Sequence, residues 1–138
     1  MISILGDFNR IHVMSGGAPK EVFALLAPKF EQQTGNKVKF TYAAITELRE
    51  KLGAGATADV LVLPAPVLDS LANDGKVRAI VGPLPAEINL EIVYGAAVAT
   101  DSAAPDAASA FVNFMAAPEN RFVWKEGGFE PPTNLNSN

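Results

Sequence analysis

The residues whose types and spacing suit ligand chemistry stand mainly in two short turns, each of which follows a predicted strand. Each turn leads into a predicted helix, where unpaired backbone N–H groups and the helix dipole favour an anion. Ser15 and Thr46 add hydroxyl donors, although serine and threonine at a helix start are more often plain caps. Tyr94 interrupts a run of small apolar residues and is a candidate cleft residue, although a packed aromatic is the commoner role. The candidate ligand-binding residues are Ser15, Gly16, Gly17, Ala44, Thr46 and Tyr94.

The other reactive side chains give no catalytic or metal site. His12, the single histidine, lies three positions before Ser15 in a predicted strand, so their side chains point to opposite faces. Asp59 precedes another strand, where we expect it to bond backbone groups. The turn after the first strand matches neither glycine-rich phosphate-binding motif. We therefore predict no enzyme, no metal and no cofactor, and an enzyme that uses Ser15 and His12 is the least favoured alternative.

The elements that must position the two turns alternate between short apolar strands and amphipathic helices. Proline suits the first turn of a helix and glycine often ends one, whereas Pro28 is expected to kink or split the first helix. In order, we predict a strand at 11–14, a helix from Pro19 to Gly35, a strand at 37–42, a helix at 46–52, a strand at 60–63, a helix from Pro64 to Gly75, strands at 77–81 and 88–99, and helices that begin at Pro105 and Pro118.

This alternation predicts an α/β fold, a three-layer α/β/α domain around a mostly parallel sheet of about five strands. Lysines alternate with apolar residues at 37–42, which indicates an edge strand, and the wholly apolar run at 60–63 indicates a central one. In such sheets ligands bind beyond the carboxyl ends of the strands. Both candidate turns fall there.

Length and charge narrow the range of partners. The chain has 138 residues, enough for one domain, and a net charge of −4 with eleven scattered basic residues. We therefore expect no nucleic-acid partner. No apolar run approaches the roughly 20 residues that span a bilayer, so no membrane insertion is expected. The absence of cysteine excludes disulfides and thiolate metal sites.

The expected organisation is an N-terminal extension at 1–9, a single α/β lobe at 10–132 and a flexible polar tail at 133–138. The first residues contain Asp7 and no basic region, so they do not have the pattern of a signal peptide. As written, the sequence predicts a cytoplasmic location unless a signal has been removed.

Most of the chain after the first ten residues resembles the molybdate-type solute-binding proteins of ABC importers, which are type 2 periplasmic binding proteins. The first-lobe resemblance is carried by SGGAPKEVFALLAPKFEQQTG, AITELREKLGAGATADVLVLP and LDSLANDGKV. The segments VGPLPAEI, IVYGAAVA and AASAFVNFMAAPENRFVWKEGGFEPP resemble the family's C-terminal return into the same lobe. The resemblance implies that the returning strand at 88–99 is antiparallel, that the location is periplasmic and that the partners include ABC transporter membrane subunits.

The resemblance also implies a ligand and a missing part. The family holds an oxyanion in a cleft between two lobes; Ser15 matches its first-lobe serine and Thr46 lies near its second hydroxyl position. Ala43 and Ala44 stand where typical molybdate binders carry serine or glycine, which weakens the case for molybdate itself. A second lobe of roughly a hundred residues is absent, because residues 76–80 join the flanking segments directly.

A lobe without its counterpart exposes a cleft face, so we expect a homodimer, with exchange of the C-terminal part between chains as one arrangement. The predicted function is a one-lobed solute-binding-like protein that binds a small anion, an oxyanion or a carboxylate, weakly or across the homodimer. The alternative is an interaction or regulatory protein that kept the fold and lost the ligand.

Overall fold

The computed structural model describes residues 10–80, 87–88, 92–100 and 102–129. The expected extension, the polar tail and the VGPLP segment lie outside the described residues. The strands are β1 (Arg10–Ser15), β2 (Lys37–Tyr42), β3 (Val60–Pro64), β4 (Val77–Ile80), β5 (Glu87–Ile88) and β6 (Ile92–Ala99). The helices are α1 (Lys20–Thr34), α2 (Ile45–Gly53), α3 (Ala65–Asn73), α4 (Pro105–Ala116) and α5 (Arg121–Glu126), with a 3₁₀ turn at Pro118–Asn120 before the last.

The strands form one mixed sheet in the order β2-β1-β3-β6-β4. β1 pairs in parallel with both β2 and β3, whereas β6 pairs antiparallel with β3 and with β4. β4 therefore runs in the same direction as the first three strands. The prediction of a mostly parallel sheet with an antiparallel returning strand is confirmed, and β5 adds a short antiparallel pairing to β6.

Alternation along each strand places a hydrophobic cluster on each face of the sheet. The first cluster lies under α1, α4 and α5, and the second lies under α2 and α3. Stacked Phe23 and Phe40 rings (centroids 5.1 Å apart) and the edge contact of Phe23 with Trp124 (5.7 Å) belong to the first cluster. Leu48, Leu52 and Leu68 belong to the second. The expected three-layer arrangement is confirmed.

Two details differ from the sequence expectations. α1 passes through Pro28 as one element of 15 residues, because buried side chains on both sides of the proline hold it to the sheet. The expected strand at 88–99 is two strands, β5 and β6, which pair antiparallel with each other. In the helix that was expected to begin at Pro118, Trp124 is fully buried, whereas Phe122 is 58% exposed.

The first helix ends at the glycine that the sequence indicated. α1 ends at Gly35, which has a φ of 79° and donates its N–H to the Glu31 carbonyl at 2.8 Å. This left-handed conformation is one that glycine adopts without strain. Among the helices of the described residues, none has the length and apolar character needed to cross a membrane.

Candidate functional site

The candidate site lies along one edge of the sheet, where β1, β2 and β3 end and β6 begins. Antiparallel pairing places Tyr94, near the start of β6, opposite Pro64 at the end of β3. Ser15 ends β1 beside Tyr42, which ends β2. We call this edge the carboxyl rim. The fold brings five of the six predicted residues to the ends of two neighbouring strands and the sixth to the start of β6.

Gly16 lies against the side chains of Ile45 and Tyr94. A Cβ added at Gly16 would lie 3.2 Å from the Ile45 side chain, 3.4 Å from the Tyr94 hydroxyl oxygen and 3.6 Å from the Tyr94 ring. Gly16 itself is fixed, since its N–H donates to the Val62 carbonyl at 3.2 Å. A side chain at this position would require the Ile45 side chain to shift.

Ser15 is fully buried, and its hydroxyl donates to the Gly16 carbonyl at 2.7 Å. The Ser15 carbonyl accepts the Ala43 N–H at 3.2 Å, so the two turns of the rim are tied together. Thr46, by contrast, is exposed at the second position of α2. The two predicted hydroxyls therefore differ: Ser15 is committed to backbone within the chain, and Thr46 faces solvent.

The start of α2 has no side-chain cap. Ala44 occupies the N-cap with an extended backbone (φ −63°, ψ 151°), and its methyl side chain offers no acceptor. The Ala44 carbonyl accepts the Leu48 N–H at 2.9 Å, which leaves the N–H groups of Ile45, Thr46 and Glu47 without helical partners. Unpaired N–H groups at a helix start bind anions in many proteins.

The start of α1 is also uncapped by any side chain. Pro19 precedes the helix, and Gly17 lies exposed in the turn before it. Among the described residues, no group accepts a hydrogen bond from the Gly17 N–H. The Lys20 ammonium lies 5.5 Å from the centroid of the Tyr42 ring. The rim thus combines two helix starts with one neighbouring cation.

The two tyrosines of the rim stay neutral at physiological pH. Burial raises the pKa of Tyr42 to about 12 and raises the pKa of Tyr94, because a phenolate loses its hydration when buried. Tyr94 is 8% exposed and packs edge-on against Phe129, with ring centroids 6.4 Å apart. Its hydroxyl is therefore a permanent donor beside Gly16.

Asp59 lies just before the start of β3, at the end of the strands opposite the rim, and His12 lies midway along β1. The His12 ring nitrogen Nε2 is 2.7 Å from the Thr41 hydroxyl oxygen. The Asp59 carboxylate accepts the His12 N–H at 2.8 Å and the Ser102 hydroxyl at 2.6 Å. His12 does not meet Ser15, which is bonded elsewhere, so the geometry argues against a catalytic pair. Asp59 bonds backbone at the strand start, as its position in the sequence predicted.

Three rim residues were missed by sequence reasoning. Ile45 covers Gly16, Tyr42 ends the neighbouring strand, and Lys20 places its charge over Tyr42. The one local signal that could have indicated Lys20 is its position in the first helical turn after a pair of glycines. Across the described ranges, no group of three or more histidine, aspartate or glutamate side chains is placed to hold a metal ion.

Comparison with known proteins identifies the family. The family model for bacterial extracellular solute-binding proteins matches residues 11–82 and 69–130. The chain belongs to this family. Its members are solute-binding proteins rather than enzymes. No curated protein sequence matches the chain significantly.

Solved structures of this kind share the fold. The periplasmic molybdate-binding protein of Azotobacter vinelandii has a TM-score of 0.74 at 13% identity, and the match covers 88% of this chain and 99% of that one. The sulfate-binding protein SubI of Mycobacterium tuberculosis H37Rv has a TM-score of 0.73 at 13% identity, over 89% of this chain and 87% of that one. At these identities the likeness establishes the fold. The expected resemblance to periplasmic binding proteins, with this chain as a single lobe, is confirmed.

Proposed function

We propose that this chain is a one-lobed solute-binding module that holds a small oxyanion or carboxylate at its carboxyl rim. The observation that carries the proposal is the convergence of two helix starts, both without side-chain caps, on adjacent turns joined through Ser15 and Ala43. Gly17, Ala44 and Thr46 line these turns, and the neutral Tyr94 hydroxyl lies beside Gly16. The similar structures are named as binding proteins for sulfate and molybdate, which are tetrahedral dianions. Membrane subunits of an ABC transporter are the proposed partners, because the chain belongs to a family of solute-binding proteins.

The rim supplies donors from one side only, so a single lobe should bind weakly. Half of the ligand's surface stays in water, whereas the entropy that the ligand loses on binding is the same as in a closed cleft. We expect a Kd of roughly 1 mM or weaker for one chain. A second copy would tighten binding only if it brought its own donors opposite this rim.

Thermal shift with matched charge variants tests the proposal. The panel is sulfate, molybdate, phosphate, acetate and citrate, each against sodium chloride at the same ionic strength. A bound anion raises the melting temperature of the native chain by linkage. Thr46→Glu should abolish the shift, because its carboxylate repels an anion from the N-terminus of α2. The same charge interacts favourably with the helix dipole, so the helix itself should not be destabilised. Thr57→Glu adds the same charge at an exposed site away from the rim and should keep the shift.

Two results would contradict the proposal: equal shifts in both variants, or no shift with any anion. The second result favours the alternative, an interaction or regulatory protein that lost its ligand. One observation supports that alternative, since the buried Ser15 hydroxyl already donates within the chain. Repeating the titration at two protein concentrations separates the two binding modes: affinity that rises with concentration indicates a site completed across a dimer, and constant affinity indicates a site in each lobe.

A further inference from the structure

The outer edge of β2 carries backbone groups that lack a strand partner. In the described residues β2 is the last strand of the sheet and pairs with β1 alone. The Ala43 N–H, just beyond β2, donates to Ser15 at the end of β1, whereas the Val38 N–H donates to the Glu31 carboxylate at 2.8 Å. Since N–H groups alternate sides along a strand, Val38, Phe40 and Tyr42 present their N–H and C=O groups outward.

Beside this edge runs a groove of about 310 Å³ between α1 and β2. Aromatic rings form its floor, with Phe40 and Tyr42 stacked at 5.5 Å between centroids. The groove side of α1 is a narrow stripe with helical spacing. In order it includes Lys20, Ala24, Ala27 and Glu31, and Phe23 and Pro28 of the same helix also line the groove. The stripe has small residues in the middle and opposite charges at its two ends.

The charges sit over opposite ends of β2. The Lys20 ammonium lies over the Tyr42 ring, and the Glu31 carboxylate reaches the Val38 N–H. A two-fold axis through Phe40 would therefore bring Lys20 of one copy to Glu31 of the other, twice. A closed two-fold dimer requires this self-complementary arrangement.

We propose that two copies of this chain associate through antiparallel pairing of their β2 edges around Phe40. Val38 of each copy then pairs with Tyr42 of the other, and Phe40 pairs with itself across the axis. The three outward residues form six backbone hydrogen bonds, because each such pair exchanges two. Glu31 releases the Val38 N–H to the second copy's Tyr42 carbonyl and turns to the second copy's Lys20.

The opposite face of β2 is compatible with the same register. Lys39 falls opposite Thr41 of the second copy, and Lys37 falls opposite Ala43, so no two lysines are directly paired. Like charges placed directly opposite would oppose pairing. An unpaired strand edge can pair with other chains and aggregate, and a closed two-fold dimer prevents this because it pairs the exposed backbone groups.

This dimer does not rebuild a binding cleft. Its β2 strands run in opposite directions, so the two carboxyl rims lie at opposite ends of the joined sheet. Dimerisation should therefore not raise the anion affinity. Because it brings the second copy's Glu31 to Lys20, the cation beside the rim, the affinity should stay constant or fall slightly as protein concentration rises. The dimer proposal and the anion-binding proposal can therefore be tested separately, since the thermal shift experiment measures anion binding alone.

Sedimentation equilibrium with charge-reversal variants tests the dimer. Lys20→Glu or Glu31→Lys turns both symmetric attractions into repulsions, and each should weaken dimerisation by roughly tenfold or more. An equimolar mixture of the two variants should dimerise as the native chain does, because in the mixed pair both contacts again join opposite charges. The double variant should also recover. Lys29→Glu and Glu50→Lys, which change exposed charges away from the stripe, are the matched controls and should not alter the dimer.

The recovery in the mixture also shows that the single variants are folded. Circular dichroism of each variant checks this directly, and Glu31→Gln, which retains an acceptor for the Val38 N–H, should give an intermediate loss. Three results would overturn the proposal: a native chain that stays monomeric at about 1 mM, single variants that dimerise as the native chain does, or a mixture that remains monomeric. The first would leave this edge to a different protein.

Discussion

Asp59 connects three parts of the fold through one side chain and its own backbone. Its carboxylate accepts hydrogen bonds from the His12 N–H of β1 and from the Ser102 hydroxyl that precedes α4. Its own N–H donates to the His12 carbonyl at 2.8 Å, and its carbonyl accepts the Ala99 N–H at the end of β6 at 2.9 Å. The backbone role was predictable from its place before a strand. The bond to Ser102 was not, since 43 residues separate the two.

Replacement of Asp59 by alanine should destabilise the chain. We expect a loss of about 2–4 kcal/mol in the free energy of unfolding, because two hydrogen bonds to a charged acceptor disappear and the His12 N–H loses its partner. Urea denaturation measures the change. Asp69→Ala, at an exposed position of α3, is the control and should change the free energy by less than about 0.5 kcal/mol. Equal effects at the two positions would show that the Asp59 bonds contribute nothing.

At the scale of the elements, the positions of two strands in the sheet were predicted correctly from their patterns of polar and apolar residues. Alternating lysines predicted the edge strand β2, and the apolar run predicted the central strand β3. Pro28 was expected to kink or split α1, but packing of Phe23, Leu26 and Phe30 against the sheet keeps the helix in one piece. The prediction that the helix would split was wrong, because the helix propensity of proline takes no account of packing against the sheet.

The same substitution should have opposite effects at two glycines. Gly35→Ala places a Cβ in a left-handed conformation (φ 79°) and should cost roughly 1 kcal/mol of stability. Gly53→Ala, in α2 with open space around its Cβ, should leave stability unchanged or raise it by up to about 1 kcal/mol. Thermal and urea unfolding of the two variants give the comparison. A loss at Gly53 as large as that at Gly35 would contradict the backbone explanation.

At the scale of the whole molecule, the two hydrophobic clusters share their strands. β3 supplies Val60 and Val62 to the first cluster, and Leu61 and Leu63 to the second. Neither cluster can lose its strand without disrupting the other. Unfolding of the lobe should therefore be a single cooperative transition.

One local probe and one global probe test this cooperativity. Trp124, the only tryptophan, reports the first cluster by fluorescence, and far-ultraviolet circular dichroism reports all helices. The two urea transitions should coincide. Leu68→Ala, in the second cluster, should shift both transitions together, with a loss of about 2–5 kcal/mol. A dichroism change that precedes the Trp124 transition would instead indicate that the faces unfold separately.

Sequence alone determined the alternation of elements, the edge and centre of the sheet, and the turns that form the carboxyl rim. These follow from local rules, since hydrophobic periodicity, proline and glycine act within a few residues. Tertiary structure decided that Tyr94 meets Gly16, that Ser15 is buried with its hydroxyl donated within the chain, and that Lys20 and Glu31 flank one groove of the β2 edge. The contact of Tyr94 with Gly16 and the groove between α1 and β2 join residues far apart in the chain, and the burial of Ser15 depends on the elements around it, so only the packing of the sheet and its helices decides them.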